Sequence, residues 1–173
     1  IILLSNSSQN KESIIKDTLI PLNFKIDLFD DIISSGEILK LIKNNIIIDP
    51  IKNILDLKNC YILSNENDYK NIDYLELETK KADKALFVLA LSIKANLDKI
   101  EITNISKKII NLQLPVICTN PDEYVIDGNT QKKTYQVGFI ANQLIKNNIT
   151  VRFIGKPYSL IYEYIKNKFM FKK

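Results

Sequence analysis

The chain has 173 residues, of which 46% are hydrophobic and 25% charged, and a net charge of +4. This length allows one full-sized domain or two small ones, and the composition is that of an ordinary globular protein. The sequence contains no histidine, which excludes His-dependent triads, His general bases and His-rich zinc sites. Any catalysis must use carboxylates, Lys, Ser, Thr, Tyr or Cys.

The cysteines and the distribution of charge indicate the compartment of the protein and the kinds of partner it has. Cys60 and Cys118 do not make a disulfide scaffold in a chain of this length, so we expect a reducing compartment. No apolar stretch approaches the ~18 residues of a membrane span. The basic residues are scattered as singles and pairs, which argues against a nucleic-acid surface. We expect a soluble, cytoplasmic protein with no nucleic-acid or membrane partner.

Short apolar runs bounded by turn residues predict β-strands along the chain. They are Ile1–Leu4, Cys60–Leu63, Ala85–Leu91, Val116–Cys118 and Val151–Ile154. Periodicity alone also allows a buried helix over the third run, but the polar residues that soon follow it favour a strand. Between most of these runs, apolar residues recur every three or four positions, as in amphipathic helices. This alternation predicts an α/β fold with parallel strands.

Capping residues mark two helix starts. Ser34 or Ser35 can cap a helix over Glu37–Asn45. Pro157 is expected just inside the start of the last helix, with Ser159 as another candidate cap.

A hairpin is predicted between the later helices. Two β-prone runs within Tyr124–Tyr135 flank Asp127-Gly128-Asn129, whose residues tolerate positive φ. The chain contains no low-complexity linker, so any domain boundary must be a double crossover between compact lobes.

Two predicted strands end in groups that suit an anion. The first is followed by Ser5 and Asn6 before a helix, a location where open α/β sheets bind ligands. Taken alone, the same residues fit an ordinary capping turn better than a ligand site. The last strand is followed by Gly155, which allows a tight turn, and by Lys156 at the mouth of a helix. The helix dipole favours an anion at this N-terminus, and the same anion could also pair with Lys156. The alternative is that Lys156 is an ordinary surface lysine in a loop. We expect both strand ends on one sheet edge.

Taken together, these strand ends resemble motifs of the haloacid dehalogenase-like (HAD) phosphohydrolases. Ile1–Asn6 is similar to the second motif of the family and Ile154–Pro157 to the third, with the Gly-Lys-Pro form typical of subclass IIA, which has a large α/β cap inserted in mid-chain. Ile32–Glu37 resembles the entry into the cap, and Cys118–Asp122 resembles a cap signature. The resemblance covers essentially the whole chain.

The resemblance implies a fold and a division of the chain. The fold is a partial Rossmann-like HAD core with a parallel sheet, carrying an inserted α/β cap lobe. The core would comprise residues 1–34 and 137–173, and the cap residues 35–136. Gly138 is similar to the small residue at which the chain re-enters the core.

The resemblance also implies roles for single residues. Ser5 would hydrogen-bond the transferring phosphoryl group, Asn6 would contribute its backbone N–H, and Lys156 would neutralise phosphate charge as the catalytic lysine. Such preorganised donors stabilise phosphoryl-transfer transition states. Asn120 and Asp122 would lie on the cap near the substrate, or would only shape an Asx-Pro turn.

The chain departs from the family pattern in its carboxylates. The family uses a first motif of two aspartates separated by one residue, as nucleophile and general acid/base, and a fourth motif that completes a Mg²⁺ site. Neither motif is present in the sequence. Asp30 and Asp31 are expected to form a solvated turn. We therefore predict no metal site in this chain, although Mg²⁺ is expected for a full-length family member.

Two interpretations remain open. The chain is the middle of a longer phosphatase that acts on a small phosphorylated metabolite, such as a sugar phosphate or nucleotide. Alternatively, it is a non-catalytic remnant or phosphate-binding module that needs a partner chain. An apolar strand edge beside Ile1–Leu4 would have to be covered, which predicts a homodimer or a complementing fragment as partner.

Overall fold

The structure is a computed structural model that describes residues 1–70, 72–94, 97–126 and 131–169. Nine strands are found within these ranges: β1 (Ile2–Ser5), β2 (Asp31–Ser34), β3 (Asn59–Leu63), β4 (Glu78–Thr79), β5 (Phe87–Ala90), β6 (Val116–Cys118), β7 (Tyr124–Ile126), β8 (Lys133–Tyr135) and β9 (Val151–Phe153). Seven α-helices are found within them: α1 (Lys11–Ile14), α2 (Ser35–Lys43), α3 (Ile51–Leu55), α4 (Glu66–Lys70), α5 (Lys99–Leu112), α6 (Val137–Lys146) and α7 (Ser159–Phe169). The predicted α/β class is confirmed.

Five strands form a parallel sheet in the order β4-β3-β5-β6-β9. Residues of β5 are buried on both faces, as expected for the centre of a parallel sheet covered by helices. The strand predicted over Ala85–Leu91 is therefore confirmed, at Phe87–Ala90. At the far side, Val151 of β9 pairs with Val116 of β6.

A separate two-stranded parallel sheet pairs β1 with β2, with Ser5 opposite Ser34. The expectation that β1 and β9 end at one sheet edge is wrong, because β1 pairs with β2 in a separate sheet and β9 lies beside β6 in the large sheet. The chain between β6 and β9 contains β7, β8 and α6, and α6 packs on both β6 and β9, as expected of a helix that connects neighbouring parallel strands. The large sheet thus takes strands from both parts of the predicted core-and-cap division, and that division stays a prediction.

Helices cover both faces of the large sheet. On one face, α2, α3 and α7 bury their apolar side chains against Phe87 and Leu89 of β5. On the other face, α5 and α6 pack against Val88 and Ala90. A third, smaller cluster of Ile14, Leu19 and Ile32 lies beneath the two-stranded sheet. The alternation of side chains along β5 thus divides the apolar interior into two layers.

Of the two helix starts predicted from capping residues, the first is confirmed and the placement of Pro157 in the second is wrong. Ser34 caps α2, since its hydroxyl oxygen accepts a hydrogen bond from the Glu37 N–H at 2.9 Å. The last helix begins at Ser159. The prediction that Pro157 lies inside its start is therefore wrong, because the turn that begins at Gly155 extends through Tyr158, whose N–H donates to the Gly155 carbonyl at 2.9 Å.

The predicted hairpin is confirmed by its strands, since β7 and β8 pair antiparallel with Tyr124 opposite Tyr135. Its predicted turn at residues 127–129 lies outside the described residues. None of the helices in the described ranges has the length and apolarity needed to cross a membrane.

Asp31 contradicts the prediction of a solvated turn. Its side chain is only 4% exposed, and its two carboxylate oxygens accept hydrogen bonds from Lys11 Nζ at 2.5 Å and Lys168 Nζ at 2.6 Å. Asp30, in contrast, is exposed and pairs with the amino group of Ile1. Burial raises the pKa of Asp31, but the hydrogen bonds from the two lysines and the Ile32 N–H outweigh it and hold the pKa below its usual value.

Candidate functional site

Asn6 joins the loop after β1 to the loop after β9. Its Oδ1 accepts a hydrogen bond from the Lys156 N–H at 2.7 Å, and its Nδ2 donates to the Lys156 carbonyl oxygen at 3.0 Å. One side chain amide thereby satisfies both backbone groups of a residue 150 positions away. The two motifs predicted to act together are brought together, although their strands belong to different sheets.

The side chain of Lys156 returns toward the end of β1. Its Nζ donates to the Leu4 carbonyl oxygen at 3.1 Å, one residue before Ser5. The Ser5 hydroxyl oxygen accepts a hydrogen bond from the Ser7 N–H at 3.1 Å, which closes a tight turn. Because a hydroxyl oxygen that accepts still keeps its own hydrogen, Ser5 remains able to donate to an anion.

The predicted cap residues lie against the same amide. Asp122 Oδ1 accepts a hydrogen bond from Asn6 Nδ2 at 3.2 Å, and the Asp122 N–H donates to Asn120 Oδ1 at 3.0 Å. Asn120 and Asp122 therefore form the predicted Asx turn, and this turn also contacts the site. We call Ser5, Asn6, Asn120, Asp122 and Lys156 the Asn6 cluster.

Glycines allow the loops of the Asn6 cluster to approach closely. Gly155 has a φ of +106°, and a Cβ atom there would lie 2.2 Å from Ser35 Oγ and 2.8 Å from Asn6 Oδ1. A Cβ atom on Gly138 would lie 2.2 Å from the Pro121 carbonyl oxygen. Both values are far inside van der Waals contact, so a side chain at either position would push the loops apart. Gly138 thus fixes where α6 meets the loop that carries Asp122.

The sequence analysis treated Ser35 only as a candidate cap, but it lies within this site. It is fully buried beside Gly155, and its Oγ has no hydrogen-bond partner among the described residues. Thr119, also fully buried, packs its carbonyl near the same glycine. Their position in the sequence could have identified Ser35 and Thr119, since both directly follow the ends of parallel strands.

A polar cavity of about 700 Å³ opens beside the Asn6 cluster. Most of its wall comes from residues that follow strand ends. It is lined by Ser7, Ser8, Asn65, Asp68, Leu91, Ser92, Ile93, Lys94, Asn120, Thr134, Tyr135 and Gln136. Asn120 belongs to both the cluster and this wall, so the two features are continuous. We call this space the polar cavity.

Solved structures share this arrangement of elements. A hydrolase of the haloacid dehalogenase-like family from Brucella suis 1330 superimposes with a TM-score of 0.79 at 20% identity, over 98% of this chain and 58% of that chain. The chain has a HAD-like fold. A p-nitrophenyl phosphatase from Archaeoglobus fulgidus gives a TM-score of 0.64 at 14% identity, over 98% of this chain and 61% of that one. A thermostable NPPase variant from Geobacillus stearothermophilus gives 0.62 at 17% identity, over 96% and 62%.

The chain spans about 58 to 62% of the length of these three HAD-like structures. No protein-family model and no curated protein matches its sequence. At these identities the superpositions establish the fold, and the chemistry has to be argued from the residues of the chain itself.

HAD-like phosphatases typically depend on Mg²⁺, and the described residues do not fit such a site. No group of three or more His, Cys, Asp or Glu side chains in the described ranges is arranged to hold a metal ion. The carboxylate of Asp122, within the Asn6 cluster, accepts a hydrogen bond from Asn6. A Mg²⁺ ion requires several converging oxygen ligands. No chemical step in this chain is therefore assigned to Mg²⁺.

Proposed function

We propose that the chain is the phosphate-binding part of a HAD-type phosphohydrolase that acts on a small phosphorylated metabolite. The observation that carries this proposal is the double hydrogen bond from the Asn6 amide to the backbone of Lys156. It brings a hydroxyl-bearing loop and a lysine-bearing loop, distant in sequence, to one surface that carries hydrogen-bond donors and an ammonium group.

The proposed contacts follow from the chemistry of each group. Ser5 donates its hydroxyl hydrogen to a phosphate oxygen, and the backbone N–H of Asn6 adds a second donor. Lys156 neutralises phosphate charge through Nζ, exchanging the Leu4 carbonyl oxygen for a phosphate oxygen. A hydrogen bond between an ammonium group and an anionic oxygen is stronger than one to a neutral carbonyl, which favours this exchange.

Binding and hydrolysis are separable in this chain. The described residues supply donors and a cation, but they place no pair of carboxylates that could serve as nucleophile and general acid/base beside them. The second candidate function, a phosphate-binding module that works with a partner chain, uses the same three contacts. We therefore expect residues 1–173 to bind phosphate and not to hydrolyse its esters.

The test is titration of the chain with inorganic phosphate by isothermal calorimetry. Ser5→Ala and Lys156→Met should each raise the Kd about tenfold or more, because each removes a hydrogen bond to a charged group. Lys146→Met, an exposed residue of α6, is the matched control and should leave the Kd unchanged. Equal affinity in all four proteins would refute the proposed phosphate contacts.

Hydrolysis of p-nitrophenyl phosphate in the presence of Mg²⁺ provides the second measurement. We expect no turnover by the chain alone. Turnover that disappears in Lys156→Met would show that the chain contains its own nucleophile, and the separation of binding from hydrolysis would then be wrong.

A further inference from the structure

The polar cavity lies at the point where the strand order of the large sheet reverses. The chain adds β4 on one side of β3 and then crosses to add β5 on the other side. The connection after β3 packs Ile72 and Leu75 with Phe87 and Leu89, on one face of the sheet. The helix α5, which follows β5, packs with Val88 and Ala90 on the opposite face. Successive connections leave opposite faces at such a switch point, and a crevice opens at the carboxyl ends of its strands.

The two strand ends at this switch point are tied together by polar groups. The Asn65 N–H, just after β3, donates to Ser92 Oγ, just after β5, at 3.0 Å. Ser92 is only 7% exposed. Its hydroxyl oxygen accepts this bond and keeps its hydrogen, so it can donate to a ligand oxygen in the cavity.

Two charged side chains are found in the described wall of the polar cavity. Among the lining residues in the described ranges, Lys94 carries the one positive charge and Asp68 the one negative charge. Asp68 Oδ2 accepts a hydrogen bond from Asn65 Nδ2 at 2.9 Å, which orients the carboxylate and leaves its charge in place. Lys94 lines the same cavity while its side chain is exposed, and it is therefore placed to meet a ligand anion.

The size and polarity of the cavity limit what it can hold. A volume of about 700 Å³ is in the range of pockets for metabolite-sized ligands. Of the twelve lining residues that the structure describes, ten have polar side chains, and Leu91 and Ile93 are aliphatic. A purely aromatic group would leave most of these polar side chains without partners, at a cost in free energy. The wall suits a group that carries its own hydroxyls and charge.

We propose that the polar cavity takes the organic part of the phosphate ester, and that Ser92 and Lys94 select an ester whose organic part carries hydroxyl groups and a second anionic group. This inference rests on the proposed function, in which Ser5, Asn6 and Lys156 take the phosphate. Ser92 donates to a hydroxyl oxygen, and Lys94 pairs with the second anion.

The test compares pairs of ligands in which a second anion takes the place of one hydroxyl group. 3-Phosphoglycerate carries a carboxylate where glycerol 3-phosphate has its terminal CH2OH, and fructose 1,6-bisphosphate carries a phosphate on the C1 oxygen that is a free hydroxyl in fructose 6-phosphate. In calorimetric titrations of the chain, the doubly anionic member of at least one pair should bind about tenfold more tightly. The pair that shows the preference identifies the second anion as a carboxylate or a phosphate.

Substitutions then assign the preference to its residues. Lys94→Met should abolish the tenfold ratio and leave the Kd for inorganic phosphate unchanged, whereas Lys146→Met should leave both unchanged. Ser92→Ala should weaken the hydroxylated esters several-fold relative to phenyl phosphate. A ratio that persists in Lys94→Met, or phenyl phosphate that binds as tightly as the hydroxylated esters, would overturn the inference.

The two proposals fail in different ways. If inorganic phosphate binds and depends on Lys156, but neither pair of esters shows a preference, the selection by Ser92 and Lys94 is wrong and the proposed function stands. If inorganic phosphate and all four esters fail to bind, the proposed function is wrong and the inference falls with it.

Discussion

The Asn6 cluster and the polar cavity share Asn120 but are held in different ways. In the cluster, side chains bond to backbone groups, and the loops meet at glycines where no Cβ atom would fit. The cavity is instead lined by side chains of residues that follow strand ends, and its cation, Lys94, is exposed.

The two parts of the site therefore differ in how far they tolerate substitution. A contact made by backbone groups depends on the path of the chain, so a substitution at a glycine or at Asn6 disturbs several loops at once. A wall made of side chains can be altered one residue at a time, with the fold preserved. We expect the cluster to be fixed by folding and the cavity to set the preference among ligands.

Gly155→Ala should have the largest effect, because the new Cβ would meet Ser35 and Asn6 at a backbone conformation that L residues rarely adopt. Strain and overpacking together should lower the free energy of unfolding by about 3 to 5 kcal/mol. Urea unfolding measures this change. Lys146→Ala, on the exposed side of α6, should change it by less than about 0.5 kcal/mol. A Gly155→Ala protein as stable as this control would show that the loops are not tightly packed.

Asn6→Ala should lower the free energy of unfolding by about 2 to 3 kcal/mol, since it removes two hydrogen bonds to Lys156 and one to Asp122. It should also weaken phosphate binding. The matched control is Asn142→Ala, which removes one exposed hydrogen bond to Glu123 and should change stability by less than about 0.5 kcal/mol. Unchanged phosphate affinity in Asn6→Ala would show that the hydrogen bonds from Asn6 to Lys156 are not needed for phosphate binding.

Asp31→Asn tests the first residue of β2, at the opposite end of this strand from Ser34. Loss of the charge facing Lys11 and Lys168 should lower the free energy of unfolding by about 1 to 2 kcal/mol at pH 7, after allowance for the partial exposure of both lysines. The Kd for inorganic phosphate should not change. A large change in that Kd would show that the two ends of the small sheet are coupled.

The lowered pKa of Asp31 also predicts that the free energy of unfolding depends on pH. The folded-state pKa of Asp31 is lowered relative to the unfolded chain. Its contribution to stability is therefore fully present above the unfolded value, about pH 4, and is lost as pH falls through the lower folded-state pKa. Asp31→Asn should flatten this part of the stability–pH curve. Asp56→Asn, whose pair with Lys52 is exposed, should leave the contribution of Asp31 to the curve intact, and equal curves for the two variants would contradict the assignment.

The smallest expected effect is on the rate at which the two cysteine thiols react, which depends on the structure around each of them. Burial raises the pKa of Cys60 to about 11 and that of Cys118 to about 12, so at pH 8 both thiols should react slowly with iodoacetamide. Cys118 lies one residue before the loop that contacts Gly155. Gly155→Ala should therefore speed labelling of Cys118 more than that of Cys60, as mass spectrometry of the labelled peptides would show. Equal acceleration would indicate global unfolding rather than a local opening of the Asn6 cluster.

The amino-acid sequence predicted many of the local elements. Apolar runs of three to seven residues marked β1, β3, β5, β6 and β9 but not β2 or β4, and Ser34 was correctly named as one of two candidate caps of α2. Ser5, Asn6, Asn120, Asp122 and Lys156 were named from strand ends and from the resemblance to family motifs. The structure brings them together, and their roles stay predictions.

Apart from the hairpin of β7 and β8, strand pairing follows from the folded chain and was not predicted from the sequence, and the same holds for most side-chain contacts. The tertiary structure placed β9 beside β6, converted Asp31 from a turn residue into a buried ion-pair acceptor, and surrounded the polar cavity with Asn65, Ser92 and Lys94. These outcomes depend on contacts between residues far apart in the chain. Periodicity and capping are local signals set by neighbouring residues, so they determine helices and strands but not their partners.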